Sequence, residues 1–568
     1  MTYPIKNLNW RDIGLVCVLL ILVFFVFSPG LQAGFINWDD DTAVTDNTQI
    51  REFSLTGLSK QFYLPQNANY YRPMILLTYS LEYKYFGLNP FIYHLDNILL
   101  HLLNVLLVFR IAYYLSSGSI AVAYLTAVFF GLHPLRVESV IWITERKDVL
   151  FSFFYLGGLL SYLSWISAEF QKNKYFWLSI FLFICAILSK PQAVSLPLLL
   201  CAIDFYYGRK LCWQTFKEKI PFFLIASSFL LINVLLLKPL LDKNIYSYYS
   251  GIEKFCIANF ALVTVLFKTL FPTHLSLLYP FPEKNKIGLL PPIVLISPIL
   301  VVALIAGGLY YFRKSKVFIF ACLFFFITIL LPLINMNYSF FFNDRYTYLP
   351  HVGFFWGVSM AILRLYGGIR QSLYKTAGGV LLAIYLVFLG IVTYQQSALW
   401  QDNILLWSDV IKKFPTVDIA YSHRGILESE AGHHLQALDD FNKAIHIKPQ
   451  DFTLYNNRGY ALLRATRYTE AVQDFTLAIY LKPDYLVSYR NRAEAFYDLG
   501  RYKEALDDMN VVNRIEPQSA STHYYCSIIY FRLANYGKAL EEAKKAQRLN
   551  FPVSSLYFKG LLFINKEK

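Results

Sequence analysis

The chain has 568 residues, of which 56% are hydrophobic, 18% aromatic and only 16% charged, and its formal net charge is +14. An ordinary soluble domain carries about 25% charged residues, so this composition, with a mean hydropathy of +0.40, excludes a purely soluble protein. It indicates a polytopic membrane protein with a more polar portion attached. The Lys and Arg excess falls in short loops between apolar runs, where it reads as a positive-inside topology signal. No basic stripe or base-stacking module accompanies it, so nucleic acid is not an expected partner.

Apolar runs recur from the N-terminus to about residue 395, and a bilayer needs about 20 residues per helix. The predicted spans are 12–32, 92–115, 118–133, 148–168, 174–189, 191–207, 219–238, 287–311, 317–335, 348–366 and 376–396. No small-residue cleavage site follows the first, which therefore reads as a retained span and not a removed signal peptide. A twelfth run, 256–271, is apolar but short. With eleven spans and a cytoplasmic N-terminus, the basic connectors "YYGRKLCWQTFKEK", "YYFRKSK" and "RLYGGIRQSLYK" all lie inside. Segments 34–91, 134–147, 239–286 and 336–347, and everything after 396, then lie outside. A full crossing by 256–271 would turn the last two basic loops outward, so it is read as re-entrant or interfacial. Seven cysteines, mostly in apolar segments and with no CxxC, indicate neither a disulfide framework nor a zinc site.

The first outer loop opens with "NWDDD", Asp39, Asp40 and Asp41. An isolated acidic triplet reads as a solvated loop with an N-cap, but beside a span such residues are costly and usually functional. Arg72 follows in "YYRPMILLTY". His94, Asn97, His101 and Asn104 share one face of the second span. For them a buried hydrogen-bonding seam is favoured over a ligand site. The second outer segment, "GLHPLRVESVIWITERKDVL", holds His133, Arg136, Glu138, Glu145, Arg146, Lys147 and Asp148 and reads equally as a salt-bridge network. Lys190 in "SKPQ" reads equally as a snorkelling lysine. Asp344 and Arg345 lie in "NDRYTYLPH".

The tail has a 34-residue period. Pro449, Pro483 and Pro517 keep it, as do Ala437, Ala471, Ala505 and Ala539. Small residues at helix crossings with proline at the repeat end mark tetratricopeptide repeats. The chain is therefore read as all-α: a transmembrane bundle over 1–398 with outer loop 34–91, and a linker helix over 399–417. Four repeats over 418–553 form an α-solenoid, and a capping helix covers 554–568. Such hairpins stack because none buries its apolar face alone. Asn456, Tyr460, Arg490, Tyr497 and Tyr524 are expected to line the concave groove, which binds a peptide or protein or, alternatively, packs as a spacer.

Carboxylates and fixed cations converging on one membrane surface suit transfer from an anionic lipid. A carboxylate serves as general base toward a hydroxyl, and Arg or Lys stabilises charge on a phosphate leaving group. Arg is the better bidentate partner, which favours Arg345 and Arg136 over Lys190. No P-loop or dinucleotide fingerprint signals a soluble nucleotide.

The order F-x-x-x-DD-x-x-A, Asn47, Arg72-Pro73, "GLNPFIYHLDNILLHLLN", "LHPLRVESVIWITERKDVL", "SKPQAVSLPLLLCAID", "FPTHLSLLYPFP", "DRYTYLP" and "WQDNILLW" resembles the transmembrane and tetratricopeptide-repeat proteins. Bacterial members and eukaryotic O-mannosyltransferases share that plan, and the resemblance covers essentially the whole chain. It implies a GT-C-class membrane glycosyltransferase that takes sugar from a polyprenyl-phosphate donor on the extracytoplasmic or lumenal face. Asp39 and Asp40 match the family's paired acidic motif, Glu138 its second acidic position, and Arg345 the arginine that meets donor phosphate. Asp41 is an extra carboxylate, and four repeats are fewer than eukaryotic members carry, which argues for a bacterial member.

The expected activity is transfer of a sugar, mannose by analogy, to Ser or Thr of exported proteins recruited by the repeats. Asp39 is the expected base. Asp40 orients the acceptor or holds a divalent cation such as Mg or Mn. Arg345, Arg136, Lys190 and Arg72 are the phosphate candidates, with Glu138, Asp41, His133, His94 and His101 in polar support. The expected location is a bacterial cytoplasmic membrane with site and repeats outside, or the ER membrane with lumenal repeats in a eukaryote. The competing readings are a non-catalytic membrane-anchored scaffold for envelope assembly and a lipid-linked glycan polymerase or ligase.

Overall fold

A computed structural model describes residues 9–62, 71–210, 212–237, 248–334 and 340–566. Parts of three expected outer loops (63–70, 238–247 and 335–339) lie outside these residues, as does position 211 of the first basic connector. The chain divides into two compact units, Met1–Leu406 and Trp407–Lys568, parting inside the helix Asn403–Lys413.

Each of the eleven predicted spans is a helix in the first unit. Among the described residues, five helices are long and apolar enough to cross a membrane: Trp10–Gln32, Pro90–Leu115, Ile143–Ser167, Pro292–Phe312 and Ser372–Leu399. Ile120–Leu132 and Pro134–Ile141 together make a sixth, bent by 62°. The bend is written in His133-Pro134, because the residue before a proline is driven out of helical geometry; His133 sits at ψ 130. Three further apolar helices are shorter, Asn173–Ser189, Ile220–Ile232 and Lys316–Pro332. The predicted span 191–207 is split by Pro191 into a 3-10 turn, Pro191–Ser195, and a helix, Leu196–Tyr207. At 1.5 Å per residue that helix is only about 18 Å long. The run 256–271 is part of a longer helix, Gly251–Leu270, that a Ser250/Glu253 capping box starts early.

Helix starts follow local chemistry. Pro73, Pro90, Pro292 and Pro350 each occupy the first turn, where the missing N–H costs nothing. Asn89 caps its helix by accepting from Phe91 N. Helices Lys316–Ile334 and Pro350–Gly368 cross closely at Gly353, where a Cβ would lie 2.4 Å from Phe324 Cβ. A short antiparallel pair, Tyr279–Pro280 with Phe340–Phe342, ties two of the predicted outer loops together.

The second unit is a run of helical hairpins. Its pairs are Asp418–Glu430 with His434–Ile447, Phe452–Arg464 with Tyr468–Leu481, Leu486–Asp498 with Tyr502–Ile515, and Ala520–Arg532 with Tyr536–Arg548. Ser555–Lys566 closes the array and packs on Ala539, Leu540 and Ala543 through Leu561. Of the period-34 alanines, Ala437 and Ala471 are buried with Phe441 and Phe475, Ala505 with Phe496 and Met509, and Ala539 with Leu540 and Leu561. A second periodic element was not singled out in the sequence. Arg424, Arg458 and Arg492 each grip an aspartate of the paired helix, Asp440, Asp474 and Asp508, with both Nε and Nη2 at 2.6–2.8 Å. The fourth repeat breaks this ladder: Cys526 takes the arginine's place and Glu542 pairs with His523 instead.

Candidate active site

One end of the bundle gathers the charged groups of the predicted outer segments. Glu138 lies on the short helix Val137–Ile141, and Arg345 lies on the 3-10 turn Asp344–Thr347. The Arg345 guanidinium is ion-paired with Glu138, and the Arg345 backbone N–H donates to the other carboxylate oxygen at 2.8 Å. Arg345 Nε lies 3.4 Å from Glu145, which is 2.7 Å from Lys147 Nζ. Surrounding carboxylates hold the Arg345 guanidinium well above its usual pKa, so it stays charged. Beyond it Lys190 is ion-paired with Asp148, and Ser139 donates to the same carboxylate at 3.2 Å. The chain of pairs Glu138, Arg345, Glu145 and Lys147, with the Asp148–Lys190 pair beside it, therefore joins three predicted loops.

Asp148 and Arg345 border a small cleft. Asp148, Gln192, Arg345 and Tyr346 are among its polar lining residues, and Pro332 and Leu349 among its apolar ones. Tyr348 also lines it. The Tyr348 hydroxyl meets His101 Nδ1 at 2.7 Å and accepts from Asn104 Nδ2 at 3.1 Å.

The three aspartates separate into different environments. Asp39 is half-buried, and its charge acts on Lys147, which also feels Arg72 and Arg345. Asp40 is fully buried. One of its oxygens accepts from Ile36 N at 2.9 Å, the other from Thr144 N at 3.0 Å and from the Thr144 hydroxyl. Burial pushes its pKa up to about 6 against those donors, with the Asp39 charge adding to the rise. Asp41 starts the turn Asp41–Thr45, where its carbonyl accepts from Asp46 N at 2.8 Å. A carboxylate offers about four lone-pair sites, and Asp40 has committed three inside the protein. This geometry does not fit the expected cation ligand. Among the described residues, no group of three or more His, Cys, Asp or Glu is arranged to hold a metal.

The remaining candidates sit further in. Arg136 is fully buried, donating from Nη2 to Thr347 Oγ1 at 2.9 Å and His351 Nδ1 at 2.5 Å, with its guanidinium over the Phe130 and Tyr348 rings. It backs the cleft wall and is not among the residues that line the cleft. His133 is likewise enclosed, bonding to Thr269 O at 3.0 Å. Arg72 is half-buried at the N-cap of Pro73–Phe86. His94, Asn97, His101 and Asn104 are all buried on Pro90–Leu115 and bond to Ile141 O, Trp142 O, Gly131 O and Val149 O. They make a hydrogen-bonded seam.

In the repeats, Asn456 is buried between neighbouring hairpins, accepting from Ser488 and Asn491, so it does not line an open groove. Tyr460 is exposed. Arg490 is ion-paired with Glu516, Tyr497 accepts from Arg532 Nε at 2.8 Å, and Tyr524 stacks on Phe551. Sequence reasoning passed over Thr144 and Tyr348. Both are uncharged, and only the fold brings them to Asp40 and His101.

Fold and site together define a multi-pass membrane protein with a charged cleft at one end of its bundle, followed in the chain by a tetratricopeptide-repeat array. The tetratricopeptide repeat family model matches residues 452–485. The chain is 24% identical to the protein O-mannosyl-transferase TMTC3 of Homo sapiens, over 78% of this chain and 52% of that protein. It is 23% identical to a protein O-mannosyl-transferase of Caenorhabditis elegans, over 76% and 63%. A shorter match, 29% identical over 30% and 21%, is to the human protein O-mannosyl-transferase TMTC1. Its curated relatives are thus the transmembrane and tetratricopeptide-repeat O-mannosyl-transferases, and the chain spans about half the length of the human TMTC3 it matches. Among solved structures, MamA is 18% identical over 26% of this chain and 86% of that chain, with a TM-score of 0.25. YrrB, described as a TPR protein with an unusual peptide-binding site, is 20% identical over 29% and 82%, with a TM-score of 0.25.

Proposed function

We propose that the protein is a GT-C-class membrane glycosyltransferase that moves mannose from a polyprenyl-phosphate carrier to a Ser or Thr hydroxyl of an exported protein. Supporting this is the cleft beside Arg345. Its lining offers the Arg345 guanidinium to a phosphate, and Pro332 and Leu349 to a hydrocarbon chain. Asp39, half-buried beside Lys147, is the base that takes the acceptor proton as the hydroxyl oxygen bonds to the sugar's anomeric carbon. The bond from that carbon to the phosphate oxygen breaks, and the leaving phosphate takes up the charge. Arg345, Lys190 and Lys147 stabilise it, because cations aimed at developing charge in a dry site lower the barrier most. The site works on the extracytoplasmic face, and the repeats recruit the acceptor.

The test is transfer of labelled mannose from polyprenyl-phosphate mannose to an acceptor protein in proteoliposomes. Transfer to protein that Asp39→Asn abolishes supports the reading. Transfer to glycan alone would favour a polymerase or ligase, and no transfer with any sugar or acceptor would favour a scaffold.

A further inference from the structure

Residues 141–144 run from the last residue of the short helix carrying Glu138 toward the long helix Arg146–Ser167, whose N-cap is Glu145 and whose first turn holds Lys147 and Asp148. Each is pinned from elsewhere. His94 Nδ1 bonds to Ile141 O at 2.8 Å, Asn97 Nδ2 donates to Trp142 O at 3.2 Å, and Tyr79 OH donates to Ile143 O at 2.9 Å. The fourth pin comes from the first acidic loop, where Asp40 accepts from both Thr144 N and its hydroxyl. Of the four pins, Asp40 alone is a carboxylate and alone lies next to the proposed base in sequence. The same carboxylate holds Ile36 N at 2.9 Å, so it closes its own loop while gripping a segment 104 residues away. Trp38 packs on Trp142 beside the clasp, with ring centroids 5.4 Å apart.

We propose that Asp40 is a positioning residue, whose clasp on Thr144 fixes the neighbouring base Asp39 relative to the segment that leads into Lys147. This deepens the proposed function and rests on it. A carboxylate enclosed by three donors has neither the exposure to meet an acceptor hydroxyl nor the free lone pairs to hold a cation. Misplacing a reacting group by about 1 Å costs on the order of 100-fold in rate, so a buried clasp next to the base is a sensitive control point.

The test uses the full chain in proteoliposomes with Thr144→Val, Thr144→Ser, Asp40→Ala and the Asp40→Ala/Thr144→Val double variant. Thr144→Val is expected to lower kcat at least tenfold with donor KM changed less than twofold. Thr144→Ser, which keeps the hydroxyl, restores kcat. The double variant is no worse than Asp40→Ala, because contacting residues are not additive. Near-UV circular dichroism of the Trp38–Trp142 pair, isolated by subtracting a Trp38→Phe variant, should change in Thr144→Val and return in Thr144→Ser. Full transfer and an unaltered tryptophan signal in Thr144→Val, with Asp40→Ala inactive, would overturn the proposal and make Asp40 act directly. If the unmodified protein transfers no sugar, the proposed function falls. The tryptophan signal then decides the clasp alone, and no change in Thr144→Val overturns it.

Discussion

Arg345 holds Glu138 twice, with its guanidinium on one carboxylate oxygen and its own backbone N–H on the other, 2.8 Å away. Side chain and main chain of one residue thereby fix the late loop to the short helix after the bend. Removing one partner of a buried pair strands the other charge, at a cost of about 3 kcal/mol or more. Glu138→Gln should therefore lower the apparent Tm in detergent by several degrees. Arg345→Lys keeps the charge but loses the planar fork, so it should retain most stability while transfer falls about 10–100-fold. Thermal unfolding and the mannose-transfer assay on the same preparations separate the two effects.

Asp39 and Asp40 should part company under mutation. Asp39 is half-buried and acts on Lys147 through its charge, and Asp39→Asn keeps its size, so the Tm should stay within about a degree. Its loss as general base should lower kcat about 100–10,000-fold. Single-turnover transfer measured beside thermal unfolding checks this. A comparable drop in Tm would assign Asp39 a structural role.

Asp40 also carries a pH signature. Its pKa rises from 3.8 to about 6, chiefly because it is buried. A group whose folded pKa is raised contributes stability that is present below the unfolded value and lost as pH rises through the folded one. Its contribution is therefore full below about pH 4 and gone above about pH 6. At 1.36 kcal/mol per unit the change is about 3 kcal/mol. Asp40→Asn is neutral throughout, so its stability relative to the unmodified protein should improve as pH rises from 4 to 7. Denaturant unfolding in detergent at the two pH values measures the difference, and parallel curves would sink the assignment.

The eleven predicted spans were legible because a bilayer demands long apolar runs, and the repeats because their period is exact over three prolines. The number of full crossings was less legible, since Pro134 and Pro191 bend or shorten helices without interrupting the hydropathy. The charges of the site were legible as types, and their partners were not. Nothing in "NWDDD" distinguishes Asp40 from Asp39; the difference arises from Thr144, 104 residues on. Asn456 was misplaced for a related reason. Repeat position puts a residue on a helix face, but Ser488 and Asn491 of the next hairpin decide whether that face is open.

The arginine ladder predicts where the repeat array is weakest. Asp474 takes two charge-assisted hydrogen bonds from Arg458, at 2.6 and 2.7 Å, and each such bond is worth about 1.5–3 kcal/mol. Arg458 retains some solvent access, 23% at its side chain, so Asp474→Ala should cost about 2–3 kcal/mol, below the sum. Hydrogen exchange should show the loss across Phe452–Leu481. The fourth repeat, where Cys526 replaces the arginine, should exchange faster than the third in the unmodified protein.

The hairpin turns supply a change of the opposite sign. Gly432, Thr466, Gly500 and Ala534 recur every 34 residues and all have positive φ, at 82°, 60°, 74° and 57°. A residue with a Cβ pays about 1–2 kcal/mol in this left-handed conformation, and a β-branched one is the least suited to it. Glycine removes that cost but loses about 0.5–1 kcal/mol in chain entropy on folding. Thr466→Gly should therefore stabilise its hairpin by a net of about 0.5–1 kcal/mol, and Gly500→Thr should destabilise the next by about 1 kcal/mol. Hydrogen exchange of the helices flanking each turn reads both changes in the full chain. Equal shifts of the same sign would show that something other than the backbone conformation governs these turns.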